Sequence, residues 1–238
     1  MKYLCFGEIM LRLKAPGSER LFQSPVLEAT FGGGEANVAV SLANFGCDVS
    51  YLTVLPENVI AEECIKELRR FGVDVGRISR GPGRVGIYFL EGGVNQLPSK
   101  VVYDRAGSAI AIAQPDSIDW DAALDGVDWF HITGITPAIS ENAMQLSVAS
   151  VQKARARGAT VSCDLNYRKN LWQYGKKAPE VMGELLNYVD VVIANEEDVQ
   201  EALGTAADVQ VKKGSLDRAL RCKVPDDVYK VLEGEINE

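Results

Sequence analysis

Apolar positions along this chain keep two rhythms. Short apolar runs occur at 3–7, 49–55, 127–133, 160–165 and 189–194, with the length and character of buried strands. Other stretches have helical spacing. At 57–71, Ile60, Cys64, Leu68 and Phe71 fall on one predicted helix face, which Gly72 closes. Further helices are predicted at 141–157, 177–187 and 196–203, with Gly158 and Gly204 stopping the first and last. The helix that follows the glycines at 32–34 is different in kind. Ala36, Val38, Ala39, Val40, Leu42, Ala43 and Phe45 make it apolar almost all round, which predicts burial, and Gly46 ends it. From residue 127 the order strand, helix, strand, helix predicts a parallel sheet covered on both faces.

Two stretches interrupt that order. Ile9, Leu11 and Leu13 alternate with Met10, Arg12 and Lys14, the period of a half-exposed strand. Pro16-Gly17-Ser18 breaks it, and a second extended piece runs to the glycines. Residues 87–91 and 99–105 form two more predicted strands around Gly92-Gly93, with the alternation of a one-sided sheet. These pieces, about 9–34 and 84–106, predict a small β-sheet lid inserted into a single α/β domain over 1–238.

Composition narrows the partners. Acidic residues outnumber basic ones by 33 to 25, a net charge of −8, which argues against non-specific nucleic-acid binding and leaves small molecules. No apolar run approaches the ~18–20 residues that span a membrane, and the N-terminal run is too short for a signal peptide. A cytoplasmic protein is expected. Cys5, Cys47, Cys64, Cys163 and Cys222 are odd in number and contain no Cys-x-x-Cys pair, so free thiols in a reducing compartment are expected. His131, the sole histidine, follows Trp129-Phe130 in an apolar run and is expected in the core, which leaves nucleophile–histidine chemistry without support.

Candidate chemistry collects at the predicted strand ends. In an open parallel sheet the ligand crevice lies beyond the carboxyl ends of the strands. Those ends read Gly7-Glu8, Thr133-Gly134-Ile135-Thr136, Asp164-Leu165-Asn166-Tyr167-Arg168 and Asn195-Glu196-Glu197-Asp198. Gly32 to Gly34 let a backbone approach a ligand closely, and Glu35 and Asn37 are expected at the mouth of that turn. A plain glycine turn before a core helix is the competing reading. The stretch matches neither a phosphate loop nor the dinucleotide pattern, and Gly81 to Gly86 matches the latter by letter only, since a strand and not a helix follows. Tyr103 and Arg105, two apart on one strand, share a face, and Tyr88 lies on the neighbouring predicted strand. A guanidinium beside phenols can grip a carboxylate; a surface Tyr/Arg pair is the bland alternative.

Phe31 to Gly46 resembles the N-terminal signature of the ribokinase-type (PfkB) carbohydrate kinases. Its Gly-Gly-Gly-Glu-Ala-Asn wording is most similar to the 2-keto-3-deoxygluconate kinase branch. Gly86-Ile87-Tyr88-Phe89, Tyr103 to Ala109, His131 to Pro137 and Asp164 to Arg168 resemble that branch in the same order, over about residues 1–204. The resemblance implies a ribokinase-like parallel-core sheet flanked by helices, with the β-lid. It implies a sugar-acid site at Gly33, Gly34, Asn37, Tyr88, Tyr103, Arg105, Ile135 and Arg168, with Arg105 and Arg168 as carboxylate partners. Asn195 to Asp198 resembles the family's Asn-x-x-Glu element, which arranges magnesium and phosphate through water. Asp198 is one methylene shorter than the family's Glu. Asn166 and Asn195 are then expected on the nucleotide and phosphate side, and Asp198 on the metal side. The implied activity is phosphorylation of the terminal hydroxyl of 2-keto-3-deoxygluconate with ATP and Mg2+. A fructokinase-like member is the alternative within the enzymes. Family members pair their lid strands into dimers, so a homodimer through the lid is implied as well.

The same resemblance carries a departure. The family has a late Gly-Ala-Gly-Asp turn, whose amides hold developing phosphate charge and whose Asp takes the sugar proton, and an adenine pocket. The late glycines of this sequence, Gly204, Gly214 and Gly234, do not carry that pattern. The catalytic Asp therefore has no counterpart, and 205–238 reads as an atypical tail in which Pro225, Asp226 and Asp227 open a short helix. A general base contributes roughly 10²–10⁴ in rate, so the 238-residue chain by itself is expected to show little or no kinase activity. A non-catalytic, sugar-acid-binding truncated remnant is the alternative from another functional class.

Overall fold

The computed structural model describes residues 1–204. The expectations for 205–238, including the tail helix and Cys222, lie outside the described residues. The chain divides into two compact units, Met1–Val127 and a second beginning at Asp128.

The first unit runs β1 (Lys2–Phe6), β2 (Met10–Lys14), β3 (Glu28–Gly32), α1 (Gly34–Asn44), β4 (Asp48–Leu52), β5 (Val54–Leu55), α2 (Val59–Arg70), β6 (Ser79–Arg80), β7 (Gly86–Glu91), β8 (Lys100–Asp104), α3 (Ala109–Ile112) and α4 (Trp120–Ala123). β1 and β4 pair in parallel, Lys2 opposite Asp48 and Phe6 opposite Leu52. On one face of that pair Cys5, Val49 and Tyr51 pack with Ala36 and Ala39 of α1 and with Ala61, Cys64, Ile65 and Leu68 of α2. On the other, Phe6 meets Trp120 edge-on at 5.1 Å. Each such large apolar side chain contributes about 1.5–3 kcal/mol by leaving water. β2, β3, β7 and β8 form a separate four-stranded sheet in the order β3-β2-β7-β8. Its outer pairs are antiparallel and its central seam, β2 with β7, is parallel.

Three details depart from the sequence pattern. α1 is not buried all round. Glu35, Ala36 and Ala39 are buried, but Asn37, Ser41 and Asn44 are exposed and Phe45 is 84% exposed. The helix meets β1 and β4 along one side only, and small residues form that side. The buried face of α2 is Ala61, Cys64, Ile65 and Leu68, rotated one position from the predicted stripe, so Ile60 and Phe71 stay exposed. Strand β8 is exposed at every position and shows no one-sided alternation, because it is an edge strand paired only with β7. The helix stops hold. Gly46 and Gly72 take positive φ directly after α1 and α2, and the Gly46 and Cys47 amides close back onto Ala43 and Leu42.

The second unit runs β9 (Trp129–Thr133), α5 (Thr136–Ile139), α6 (Glu141–Ala156), β10 (Thr160–Asp164), α7 (Ala178–Leu186), β11 (Val191–Ile193) and α8 (Glu196–Leu203). β10 pairs in parallel with β9 and β11. Ser140 caps α6 by accepting the Ala143 amide at 3.1 Å, and the helix buries Leu146 and Val151. Parallel strands between helices in both units are the α/β arrangement that the sequence predicts. His131 is buried in β9, its Nδ1 2.9 Å from Ser162 Oγ, and burial lowers its pKa to about 4. Among the described residues, Cys5, Cys47, Cys64 and Cys163 form no disulfide. Among the described residues no helix is long and apolar enough to cross a membrane.

Candidate functional site

In the first unit, polar side chains gather where β1 turns into β2 and where β8 ends. Tyr88 and Tyr103 face each other across β7 and β8, ring centroids 5.9 Å apart. Arg105, one residue past β8, lays its guanidinium over the Tyr103 ring at 4.7 Å. The loop carrying it is tied down by Arg84, which donates to the carbonyls of Asp104 at 2.9 Å and Ala106 at 3.1 Å and pairs with the Asp104 carboxylate. Arg105 Nη1 lies 3.4 Å from Glu8 Oε2, with side chains 11% and 3% exposed. Ser108 Oγ donates to Glu8 Oε1 at 2.7 Å. Burial raises the Glu8 pKa, while Arg105, the Ser108 hydroxyl and Arg84 lower it. Among the described residues, Arg105 Nε and Nη1 are buried and make no hydrogen bond, and neither does Glu8 Oε2. The guanidinium therefore keeps buried donor capacity beside two phenols, the equipment for an anionic ligand that also carries hydroxyls.

Glycine lets the surrounding backbone close on this cluster. Gly33 is the extended N-cap of α1, and a Cβ there would overlap the Glu8 carbonyl oxygen and sit 3.2 Å from Ile9 Cα. A Cβ on Gly32 would lie 2.7 Å from the Tyr88 hydroxyl, and one on Gly86 2.8 Å from Glu8 Oε1. The Gly-rich turn thus touches both Glu8 and Tyr88. Gly34 opens α1 with no side-chain cap, and Asn37 is exposed one turn along. Glu35 does not stand at the mouth of the turn. It is 1% exposed and turned inward against Gly7, near Cys5 and Tyr51. Its place in the first helical turn points it back at the end of β1.

In the second unit the strand ends carry a hydrogen-bonded loop. Asn166 has φ +37, a left-handed conformation that asparagine tolerates better than most residues. Its amide donates to Asp164 Oδ1 at 3.1 Å and its side chain to Oδ2 at 3.5 Å. Asp198 accepts the Tyr167 amide at 3.0 Å, and Asn195 caps α8 by accepting the Asp198 amide at 2.8 Å. Burial raises the Asp164 pKa, with Asp198 adding to the rise and the Asn166 amide and Arg168 opposing it. Arg168 is exposed and donates to the Tyr167 carbonyl at 3.0 Å. Ile135 is half-buried, its amide on Thr133 Oγ1 at 3.1 Å. Among the described residues no group of three His, Cys, Asp or Glu is placed to hold a metal.

The structure thus brings Gly33, Tyr88, Tyr103 and Arg105 together in the first unit, and Asn166, Asn195 and Asp198 together in the second. Glu8 and Ser108 complete the first cluster. The sequence marks Glu8 only as one of four polar strand ends, and Ser108 only as part of a longer motif. A depression of about 640 Å³ on the surface lies elsewhere, along α2, lined by Glu57, Asn58, Glu62, Glu63, Lys66 and Arg80 among others.

Sequence and structure comparisons bear on this arrangement. Residues 2–220 match the description pfkB family carbohydrate kinase. A 2-dehydro-3-deoxygalactonokinase of Haloferax volcanii is 36% identical over 198 residues, covering 83% of this chain and 62% of the relative. A 2-dehydro-3-deoxygluconokinase of Thermoproteus tenax is 30% identical over 207 residues, covering 84% and 61%. This chain therefore spans less than two thirds of the length of these curated relatives. The crystal structure of a 2-dehydro-3-deoxygluconokinase from Thermotoga maritima superposes with a TM-score of 0.84 at 44% identity, covering 98% of this chain and 68% of that one. On the extent of the family match and these relatives, the chain belongs to the pfkB family of carbohydrate kinases.

Proposed function

We propose that this chain carries the sugar-acid site of a kinase that phosphorylates the terminal hydroxyl of 2-keto-3-deoxygluconate with ATP. Arg105 carries the reading. Its guanidinium is buried against Tyr103, ion-pairs with Glu8 through Nη1 at 3.4 Å, and makes no hydrogen bond through Nε or Nη1 among the described residues. A neutral sugar such as fructose has no group that calls for a buried cation, whereas a carboxylate does. The same reading assigns Gly33, Gly34, Asn37, Tyr88 and Tyr103 to the sugar hydroxyls. In the second unit the same reading assigns Ile135 and Arg168 to the sugar acid, and Asn166 and Asn195 to phosphate. Magnesium is part of the reading through water only. Asp198, whose Oδ1 accepts the Tyr167 amide, is the residue that would hold a metal-bound water. The relatives differ in the sugar acid they are named for, so the galacto epimer is an alternative substrate of the same class.

Calorimetric titration tests the reading. The 2-keto acid is expected to bind in preference to fructose, and Arg105→Ala to weaken the acid at least tenfold while changing fructose little. Preference for fructose that survives Arg105→Ala would replace this reading with a fructokinase-like one.

A further inference from the structure

We propose that Glu8 is a positioning residue for the anion site, holding the Arg105 guanidinium in place and offsetting its charge, and so setting how strongly the site prefers an acidic sugar to a neutral one. The inference rests on the sugar-acid reading above and goes beyond it. Neither carboxylate oxygen of Glu8 is free to swing. Oε1 accepts the Ser108 hydroxyl at 2.7 Å and lies close over Gly86, and Oε2 faces Arg105 Nη1 at 3.4 Å. The guanidinium is fixed on its other sides by the Tyr103 ring at 4.7 Å and by Met10 Sδ, 3.4 Å from Nη2. Glu8 leads into β2 while Arg105 leaves β8, so the pair joins two segments that are distant in the chain.

Charge accounting decides what this pair does to a ligand. A buried guanidinium without a counter-charge is strongly unfavourable. With Glu8 beside it, an arriving carboxylate meets a compensated pair and competes with Glu8 for the same cation. Without the Glu8 charge, the ligand carboxylate becomes the nearest compensation available. Glu8 therefore moderates acid binding and leaves neutral sugars nearly untouched, which keeps the site's preference for acids finite and its ligand releasable.

The test compares the full chain with Glu8→Gln, which keeps an oxygen for the Ser108 hydroxyl but removes the charge. Titrations with 2-keto-3-deoxygluconate and with fructose give the acid-to-neutral affinity ratio. That ratio is expected to rise at least tenfold in Glu8→Gln. A merely structural role would weaken both ligands together, so an unchanged or lowered ratio overturns the proposal. Thermal melts of Glu8→Gln, Arg105→Met and the double variant give a readout without ligand. The double variant is expected to melt above both single variants, since it leaves neither charge alone. Melting losses that simply add would overturn the pairing, whatever the ligands do. Wild-type preference for fructose would remove the sugar-acid reading and the selectivity role with it, while the melts still report on the pair.

Discussion

Alanine at Gly33 introduces one methyl group, and the structure says where it goes. The residue is extended, with φ −171 and ψ 149, so alanine meets no backbone strain there. The obstacle is contact. The new Cβ overlaps the Glu8 carbonyl oxygen and approaches Ile9 Cα at 3.2 Å. Both are backbone atoms of the β1–β2 connection, so no side-chain rotation relieves the clash. Overpacking of this kind costs about 1–3 kcal/mol, occasionally more, and we place Gly33→Ala at the upper end, about 3 kcal/mol. At roughly 2–4 °C per kcal/mol for a protein of this size, the melting temperature should fall by about 6–12 °C. Gly46→Ala is the control. Its φ is +81 with nothing within 4 Å of a Cβ, so its cost is purely conformational, about 1–2 kcal/mol. Chemical denaturation of both variants gives the comparison. A Gly33→Ala variant within 0.5 kcal/mol of wild type, or one less damaging than Gly46→Ala, would refute the reasoning that close approach to Glu8 dictates this glycine.

Two further outcomes follow from the second unit. Burial lowers the His131 pKa to about 4 from the usual 6.5, so between those values the unfolded chain takes a proton that the folded chain refuses. Stability from this group is therefore full above about pH 6.5 and falls by about 3 kcal/mol on acidification through pH 4. Denaturation midpoints from pH 7.5 to 4 should carry that slope, and His131→Gln should lack it; equal slopes would contradict a buried neutral ring. Asn195→Ala removes the cap of α8 and should cost about 1 kcal/mol, seen as faster amide exchange at Val199 and its neighbours, with Asn195→Asp retaining protection.

Periodicity located most of the helices and strands because their apolar positions face a single partner layer. The four-residue helices α3, α4 and α5 gave no such signal, since one turn has no period. The α1 pattern misled for a physical reason. Ala36 and Ala39 are the fully buried apolar residues of α1, while the larger Val38, Val40 and Leu42 pack against the same core half-buried. At the candidate site, the shared face of Tyr103 and Arg105 was legible from strand alternation, while Tyr88 was legible only as lying on the neighbouring strand and its pairing with Tyr103 came from the register. Glu8 was not legible, because a carboxylate at a strand end reads the same whether it faces water or a buried guanidinium. Glu35 shows the converse, a charged residue in a Gly-rich turn that folds inward.

The parallel seam between β2 and β7 has a consequence for how the chain reaches this state. β2 with β3, and β7 with β8, are antiparallel neighbours in the chain, joined through residues 15–27 and 92–99, far closer in sequence than the two strands of the seam. The seam instead sets Met10 beside Gly86, with α1, β4 and α2 lying between them in the chain. Long-range parallel pairing is slow, because loop entropy is lost before contacts repay it. The two ribbons are therefore expected to join only after the intervening helices and strands have packed. Glu8 and Arg105 sit on opposite sides of that seam, so the candidate site is expected to assemble only after the seam has closed.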